Sequence, residues 1–331
     1  NRTGWVFRDV APAPLDLSSA HPGVSDRWQN RKSELKCRVN IFSFGLMQYL
    51  PTTPLFRQLQ QVIKGKDETL KEAIICLLAG GHLLIEDIPG VGKTTLAYAL
   101  AKSIGGKFSR IQFTSDLLPS DILGVSVFKA ENQAFEFMPG PLFANVVLAD
   151  EINRTTPKTQ SSLLECMERS HISVDGLSMD LPQPFMVVAT QNPLDFEGTY
   201  PLPENQLDRF LMRITMGYPD EETEKEIIRT PNYHYDDMNL EPVITPDAIR
   251  IIQSEVGQVF IEDSVLDYIL RWVVATRKHD HFLIGISPRG AIALRRVAQA
   301  RALVEGRNYV IPSDVDRSIR PVFAHRIVSN R

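Results

Sequence analysis

A glycine-rich segment followed by a lysine and two threonines is the part of the sequence best suited to chemistry. It comprises Pro89, Gly90, Val91, Gly92, Lys93, Thr94 and Thr95. An apolar run precedes it and apolar residues at helical spacing follow it, which predicts the order strand, turn and helix. Backbone N–H groups of such a turn surround a phosphate, and the helix N-terminus adds partial positive charge. Lys93 would then reach the outer phosphates of a bound nucleotide, and the Thr94 hydroxyl would hold Mg²⁺.

This segment departs from the common G-x-x-x-x-G-K-[ST] pattern at its first position. Asp87 stands where that pattern has glycine. Pro89 and Gly90 could supply the turn instead. The alternative interpretation is an ordinary loop that matches a short motif by chance. The flanking strand and helix favour the phosphate-binding interpretation.

Two adjacent carboxylates, Asp150 and Glu151, end the apolar run 146–149. Open α/β sheets bind ligands at the carboxyl ends of their strands. Asp150 would hold Mg²⁺ through water, and Glu151 would polarise the water that attacks the γ-phosphate. The alternative is a strand that ends in a solvated acidic turn. The phosphate-binding segment earlier in the chain favours the catalytic role.

Three further polar residues are candidates on weaker local signals. Asn192 follows the apolar run 185–190, where it could orient the attacking water or form a turn before the next residue, a proline. The local sequence gives Arg209 no special role, and an arginine of this kind usually lies on the surface. Arg289 falls on the first turn of a predicted helix. Its charge opposes the helix dipole there, so we expect it to face an anion.

The spacing of apolar residues predicts the elements that position these groups. Helices are predicted over 56–63, 68–78 and 158–168, and strands over 82–85, 109–113, 146–149, 185–190 and 212–216. The segment 171–181 alternates on both sides of Asp175-Gly176, which predicts a β-hairpin. From residue 218 onward helices dominate, with starts at Thr245 and Ser287, each followed by proline. We therefore predict an α/β fold, with a parallel sheet and flanking helices, followed by a small all-α domain.

The composition argues against several classes of protein. The 36 basic and 40 acidic residues give a net charge of −4, which offers no footprint for nucleic acid or an anionic membrane. The apolar stretch 73–85 is interrupted by Gly80-Gly81 and is too short to span a bilayer. Three cysteines lie far apart, and an odd number argues against a disulfide framework. We expect a reduced, cytoplasmic protein without a membrane span.

Residues 1–50 differ from the rest of the chain. Proline, serine and two tryptophans are scattered through them without helical or alternating period. We expect an N-terminal extension that is poorly ordered. Because Met47 is the first methionine, a further hypothesis is that residues 1–46 are translated upstream sequence.

From about residue 56 to the C-terminus, the sequence resembles AAA+ ATPases of the MoxR type. Six segments in order carry the resemblance: EDIPGVGKT (86–94), LPSDILG (118–124), GPLFAN (140–145), ADEINR (149–154), ATQNP (189–193) and YPLPENQLDRF (200–210). Each segment is moderately specific, and six in order are highly specific. The family tolerates the missing first glycine. The resemblance implies a P-loop AAA+ core over 51–217 and a helical lid over 218–331.

The resemblance also implies roles for single residues. Lys93, Thr94, Asp150 and Glu151 keep the roles given above, as Walker A and Walker B residues. Asn192 would be the sensor residue on the strand between Walker B and the last strand. Arg209 would be an arginine finger that reaches into the nucleotide site of a neighbouring subunit. Arg289 would be the lid sensor touching the γ-phosphate, with ATP between the core and the lid.

The assembly and output follow from the same resemblance. A trans arginine requires a homo-oligomer, with hexameric rings expected. The hairpin at 171–184 and the region around 118–141 would be insertions that face the ring pore. The expected output is chaperone-like remodelling or maturation of protein clients, including metalloenzymes, with von Willebrand factor A domain proteins as partners.

Rival functions predict different features. A nucleic-acid-associated AAA+ motor or loader would need a basic groove with aromatic residues, yet the segment 171–184 has acids and no Lys or Arg. A nucleotide-binding switch that does not hydrolyse would lack Glu151. A small-molecule kinase would lack Arg209, Arg289 and the helical lid.

Overall fold

The computed structural model describes residues 52–131, 133–174, 176–193, 198–229 and 239–330. The predicted extension 1–50 lies outside the described residues, and so does Asp175 in the predicted hairpin. No helix in the described ranges is long and apolar enough to cross a bilayer.

Helices flank the core and build most of the C-terminal part. In chain order they are α1 (Thr52–Val62), α2 (Asp67–Leu78), α3 (Lys93–Ser103), α4 (Pro119–Leu123), α5 (Pro157–Arg169), α6 (Glu204–Leu207), α7 (Glu221–Arg229), α8 (Pro246–Val256), α9 (Asp263–Lys278), α10 (Pro288–Val304) and α11 (Pro312–Phe323). A 3₁₀ turn, Ile152–Arg154, lies before α5. The predicted helix starts at Thr245 and Ser287 are confirmed, because each hydroxyl accepts a hydrogen bond from the backbone N–H three residues later.

The strands form one large sheet and three small ones. They are β1 (Leu83–Glu86), β2 (Phe108–Gln112), β3 (Gly124–Lys129), β4 (Ala134–Pro139), β5 (Val146–Asp150), β6 (His171–Val174), β7 (Leu177–Asp180), β8 (Met186–Gln191), β9 (Met212–Ile214), β10 (Phe282–Ile284) and β11 (Val328–Ser329). The large sheet is parallel throughout, in the order β2-β5-β8-β1-β9. The pairs β3–β4 and β6–β7 are antiparallel hairpins. The predicted parallel sheet and the hairpin at 171–181 are therefore confirmed.

Alternating side chains of the central strands enter two different cores. Leu83 and Ile85 of β1 pack with α1, α2 and α3, whereas Leu84 packs on the other side with α5. Val146 and Val147 of β5 divide in the same way. Strands buried on both faces explain the continuous apolar runs in the sequence. The core is thus three layers, with the sheet in the middle.

The C-terminal helices form the predicted lid, which also contains the short β10–β11 sheet that the sequence does not predict. Arg301 of α10 donates two hydrogen bonds of 2.6 and 2.7 Å to the Glu72 carboxylate of α2. Both side chains are largely buried. Gln253 of α8 donates to the Leu77 carbonyl at 2.8 Å, and Arg296 of α10 donates to the Ala79 carbonyl. The lid is therefore docked on α2 and on the turn before β1.

A buried histidine ties three elements together where β1 begins. The Nε2–H of His82 donates to the Met167 carbonyl at 2.9 Å, and Nδ1 accepts from the Val187 N–H at 3.0 Å. The neutral ring therefore satisfies both nitrogens. Burial lowers the pKa of His82 from its ordinary value of 6.5 to about 4, although the bond to Met167 opposes this shift.

This lowered pKa predicts a pH-dependent loss of stability. Above pH 6.5 the ring is neutral in both states. As the pH falls from 6.5 towards 4, the unfolded chain takes up a proton that the folded chain does not, which lowers the free energy of unfolding by about 3 kcal/mol. We expect denaturant unfolding between pH 7 and 4.5 to show a shallower pH slope for His82→Gln than for wild type. The pKa of the buried His325 is also lowered, but His325 is present in both proteins and contributes equally to both slopes. Equal slopes would therefore show that His82 does not cause the loss of stability.

Candidate functional site

The glycine-rich segment forms a tight loop between β1 and α3, as predicted. Gly90 and Gly92 have left-handed φ values of 84° and 91°. A Cβ at Gly90 would meet nothing within 4 Å, so open space adjoins the loop. Helix α3 begins at Lys93 with no side-chain cap at Gly92. The Lys93 ammonium donates to the Asp87 carbonyl at 2.7 Å across the loop. A loop of this shape, with an uncapped helix N-terminus and a lysine beside it, fits a phosphate group.

The aspartate at the unusual position has a defined structural role. One carboxylate oxygen of Asp87 accepts from the N–H groups of Met216 and Gly217, both at 2.6 Å. The other oxygen accepts from the Ile88 N–H at 2.9 Å. A glycine could make none of these side-chain bonds. Asp87 therefore fastens the phosphate loop to the segment that leaves β9.

The predicted acidic pair is held by a threonine on the neighbouring strand. The buried Thr190 hydroxyl donates to the Asp150 carboxylate at 2.7 Å and accepts from the Glu151 N–H at 2.8 Å. Glu151 has φ 57° and ψ 49°, a left-handed conformation that is uncommon for a residue with a Cβ. The Thr190 bond holds the Glu151 backbone in that conformation. One hydroxyl thus fixes the Asp150 carboxylate and the backbone of Glu151 at the carboxyl edge of the sheet.

Cationic and amide groups surround the same two carboxylates. Arg110 of β2 pairs with Asp150 at 2.7 Å. Gln112 donates to Glu151 at 2.8 Å, and Arg154 lies 3.2 Å from the same carboxylate. The two arginines offset the negative charge of the pair. Thr94 and Asp150 offer a hydroxyl and a carboxylate at the same edge of the sheet, the oxygen donors that Mg²⁺ prefers.

Asn192 also falls at this edge. It directly follows β8, which lies between β5 and β1 in the sheet. The Asp87 N–H donates to the Gln191 carbonyl at 3.1 Å, which places the end of β8 beside the phosphate loop. The structure therefore brings Lys93, Thr94, Asp150, Glu151 and Asn192 to one edge, because the strands that carry or precede them are parallel.

The two predicted arginines lie together at the opposite edge. Arg209 donates to the Leu164 carbonyl at 2.6 Å and lies 3.1 Å from the Glu168 carboxylate. Arg289 lies 3.4 Å from the other oxygen of Glu168 and 3.9 Å from Asp208. Asp208 and Arg209 come just before β9, and Glu168 lies near the end of α5. The anion expected opposite Arg289 is thus a pair of core carboxylates.

This placement differs from the expectation that ATP sits between the core and the lid of one chain. From α8 onward, the lid contacts Ala79 and Leu211, which precede β1 and β9. The phosphate loop follows β1 at the other edge of the sheet. Each strand adds about 3.3 Å per residue to the separation of the two edges. Arg289 therefore lies beside Arg209, the predicted arginine finger. The full length of the sheet separates Arg289 from the phosphate loop of its own chain.

Sequence reasoning missed several residues of the site. Apolar spacing predicts Thr190 as the end of a strand, but it does not predict that this strand lies next to β5. Arg110 and Gln112 lie on β2 and reach the acidic pair because β2 and β5 pair in register, with Gln112 opposite Asp150. Alternation along β2 could have placed Arg110 and Gln112 on the same face. Asp87 stands out in the sequence only as a departure from a motif, since its partners Met216 and Gly217 are far away along the chain.

The hydrogen bonds of Asp87 predict that replacing it with glycine, the residue of the common motif, makes the protein less stable. In Asp87→Gly, the N–H groups of Met216 and Gly217 lose their acceptor, so we expect the free energy of unfolding to fall by about 1–3 kcal/mol. Chemical denaturation measures this change. Asp247→Asn is the control, because Asp247 is exposed and its pair with Arg250 is weak. A glycine variant as stable as the wild type would show that these bonds contribute little.

Comparisons with known proteins agree with this geometry. The family described as ATPase family associated with various cellular activities (AAA) matches residues 82–212, and the AAA lid domain matches residues 274–331. A protein from Cytophaga hutchinsonii, described as a candidate ATPase, has a crystal structure that superimposes with a TM-score of 0.80 at 37% identity. The match covers 90% of this chain and 92% of that one.

Several bacterial proteins are similar to this chain over most of their length. The uncharacterized protein YeaC of Bacillus subtilis is 50% identical over 82% of this chain and 84% of its own. Chaperone MoxR1 of Mycobacterium tuberculosis is 41% identical over 82% of this chain and 74% of its own. Protein MoxR of Methylorubrum extorquens is 30% identical over 82% and 85%. With its core and lid in the matching order, the chain belongs to the MoxR-type AAA+ ATPases.

Proposed function

We propose that the protein hydrolyses ATP with Mg²⁺ as a ring of identical subunits, six by analogy with similar ATPases, and uses this activity to remodel protein clients. One observation carries the proposal. The phosphate loop and the acidic pair lie at one edge of the sheet, whereas Arg209 and Arg289 lie at the other. A site with both sets of groups therefore needs two copies of the chain.

Each subunit would supply the groups that bind ATP and activate water. Lys93 and the N–H groups of the loop bind the phosphates, and Thr94 and Asp150 hold Mg²⁺. When bound, Mg²⁺ neutralises charge on the phosphate oxygens. Glu151 accepts a proton from the attacking water, and Asn192 orients that water. Thr190 keeps Asp150 and Glu151 in place through its two hydrogen bonds.

The neighbouring subunit would complete the site. Arg209 and Arg289 place two guanidinium groups against the two oxygens of one carboxylate, that of Glu168. The same pair of cations can bind the oxygens of a phosphate, because guanidinium matches both kinds of anion. An arginine finger stabilises the charge of the transition state and contributes on the order of 10³-fold or more to the rate. Hydrolysis then depends on assembly.

The proposed output is chaperone-like. The exposed hairpin β3–β4 carries Phe128 and Phe135, whose rings pack edge to face with centroids 5.3 Å apart. The hairpin β6–β7 is the second projection. Both would face the ring pore and contact the client. By family resemblance, clients include metalloenzymes, and partners contain a von Willebrand factor A domain. We place this activity in the cytoplasm, where ATP is available. The buried free thiols of Cys76 and Cys166 are consistent with a reducing compartment.

The separation of the two edges predicts turnover that depends on concentration. For the wild type, we expect the rate of Mg-ATP hydrolysis per subunit to rise with protein concentration as rings assemble. For Arg209→Ala, we expect a rate about 10³-fold lower at every concentration, because the neighbour's charge is missing from the transition state. Steady-state phosphate release measures the rates, and light scattering measures assembly.

The matched control is Arg250→Ala, an exposed arginine on α8 that faces Asp247. It should behave as wild type. A wild-type rate that is independent of concentration and insensitive to Arg209 would contradict the ring proposal and leave a P-loop ATPase that acts alone.

The hairpin β6–β7 predicts a separate effect on client handling. Deleting residues 174–179 should leave basal ATP turnover intact, because the hairpin contributes none of the groups proposed for the site. It should abolish the stimulation of turnover by unfolded casein, used as a model client. Leu283→Ala, which alters an exposed apolar residue of the lid, is the control. If casein stimulated the deletion variant as strongly as the wild type, the hairpin would have no role in client contact.

A further inference from the structure

Arg326, near the C-terminus of the lid, is a buried arginine that the roles above do not use. Its side chain is 4% exposed. Isolated charges are costly to bury, so a buried guanidinium needs a set of acceptors. The acceptors of Arg326 include oxygens of four residues. They are Asp208, Phe210, Leu211 and Val322.

Three of these four residues surround Arg209. Nε of Arg326 donates to the Asp208 carboxylate at 2.6 Å. Its terminal nitrogens donate to the carbonyls of Phe210 at 2.7 Å and Leu211 at 3.2 Å. A weaker contact of 3.3 Å reaches the Asp208 carbonyl. The lid arginine therefore holds the backbone on both sides of Arg209.

The same contacts connect Arg326 to Arg289. Asp208 accepts from Arg326 through one oxygen, and Arg289 lies 3.9 Å from the other oxygen. The carboxylate thus lies between the buried arginine and the half-exposed one. If the Arg326 bonds were lost, the Asp208 carboxylate would be free to move, and the segment that carries Arg209 would lose its buried anchor.

We propose that Arg326 is a positioning residue for the arginines that act on the neighbouring subunit. It fixes the segment 208–211 and, through Asp208, orients both Arg209 and Arg289. This inference rests on the proposed ring ATPase. It adds that the C-terminal segment of the lid belongs functionally to the neighbour's catalytic site, at the opposite edge from the phosphate loop of its own chain.

The test uses the conservative variant Arg326→Lys, which keeps the charge but cannot donate in a fork to the Asp208 carboxylate and the carbonyls of Phe210 and Leu211. We expect kcat for ATP to fall about tenfold to a hundredfold, because small misplacement of a catalytic group has effects of this size. We expect KM and the affinity for ATP to change less than about twofold, because the variant's own phosphate loop is untouched.

Mixed assemblies separate positioning from general damage. Glu151→Gln subunits, which cannot hydrolyse ATP but keep Arg209 and Arg326, are added in excess. Each Arg326→Lys subunit then has a neighbour with intact arginines. We expect its turnover to return to that of wild-type subunits in the same mixture. Arg209→Ala should be restored in the same way. Asp208→Asn, which removes the carboxylate but keeps its shape, should show the same pattern as Arg326→Lys.

The matched control is Arg301→Lys. Arg301 is also buried and also joins the lid to the core, but its partners are Glu72 and Ser318, away from the finger segment. We expect Arg301→Lys to lower the melting temperature. We do not expect it to cause a loss of kcat that intact neighbouring subunits correct. The inference is wrong if Arg326→Lys lowers kcat no more than Arg301→Lys does, or if intact neighbours fail to restore it. If Arg209→Ala itself has no effect, the ring proposal fails instead.

Discussion

All five strands of the core sheet run in one direction, and the placement of every functional group depends on this constraint. Parallel strands end at the same edge, so the phosphate loop, the acidic pair and Asn192 converge without being close in sequence. The segments that enter the strands meet at the other edge, where Arg209 and the lid residues Arg289, Arg296 and Arg326 are found. The direction of the strands therefore gives the subunit two unlike faces. In the proposed ring, unlike faces of neighbouring subunits would meet in a heterologous contact.

Within this frame, single side chains set the local geometry of each face. Thr190 holds Asp150 and the strained backbone of Glu151. Asp87 ties the phosphate loop to the end of β9. These bonds join neighbouring strands at their ends, where ladder hydrogen bonds stop. These bonds hold the site in place before a ligand binds. Groups that are already positioned stabilise charge better than mobile ones.

Much of the fold could be predicted from the sequence, because the central strands are apolar on both faces and the lid helices α8 and α10 begin with hydroxyl caps. The predicted strands and the hairpin at 171–181 are confirmed. The candidate residues of the phosphate loop and the acidic pair do meet at one edge. The position of Arg289 could not be predicted, because local spacing shows that it needs an anion but not which one. Thr190 and Asp87 were missed as functional residues for a similar reason: their partners are defined by strand order and register.

The buried pair between Arg301 and Glu72 has a mechanical consequence. Separating it would leave both charges in an apolar interior, which costs several kcal/mol. Together with the lid's contacts to Leu77 and Ala79, it makes rotation of the lid about the core expensive. Hinge motion between the core and the lid of one subunit is thus disfavoured, and the two move as one rigid body. In the proposed ring, movement would therefore occur at the contacts between one chain and the next.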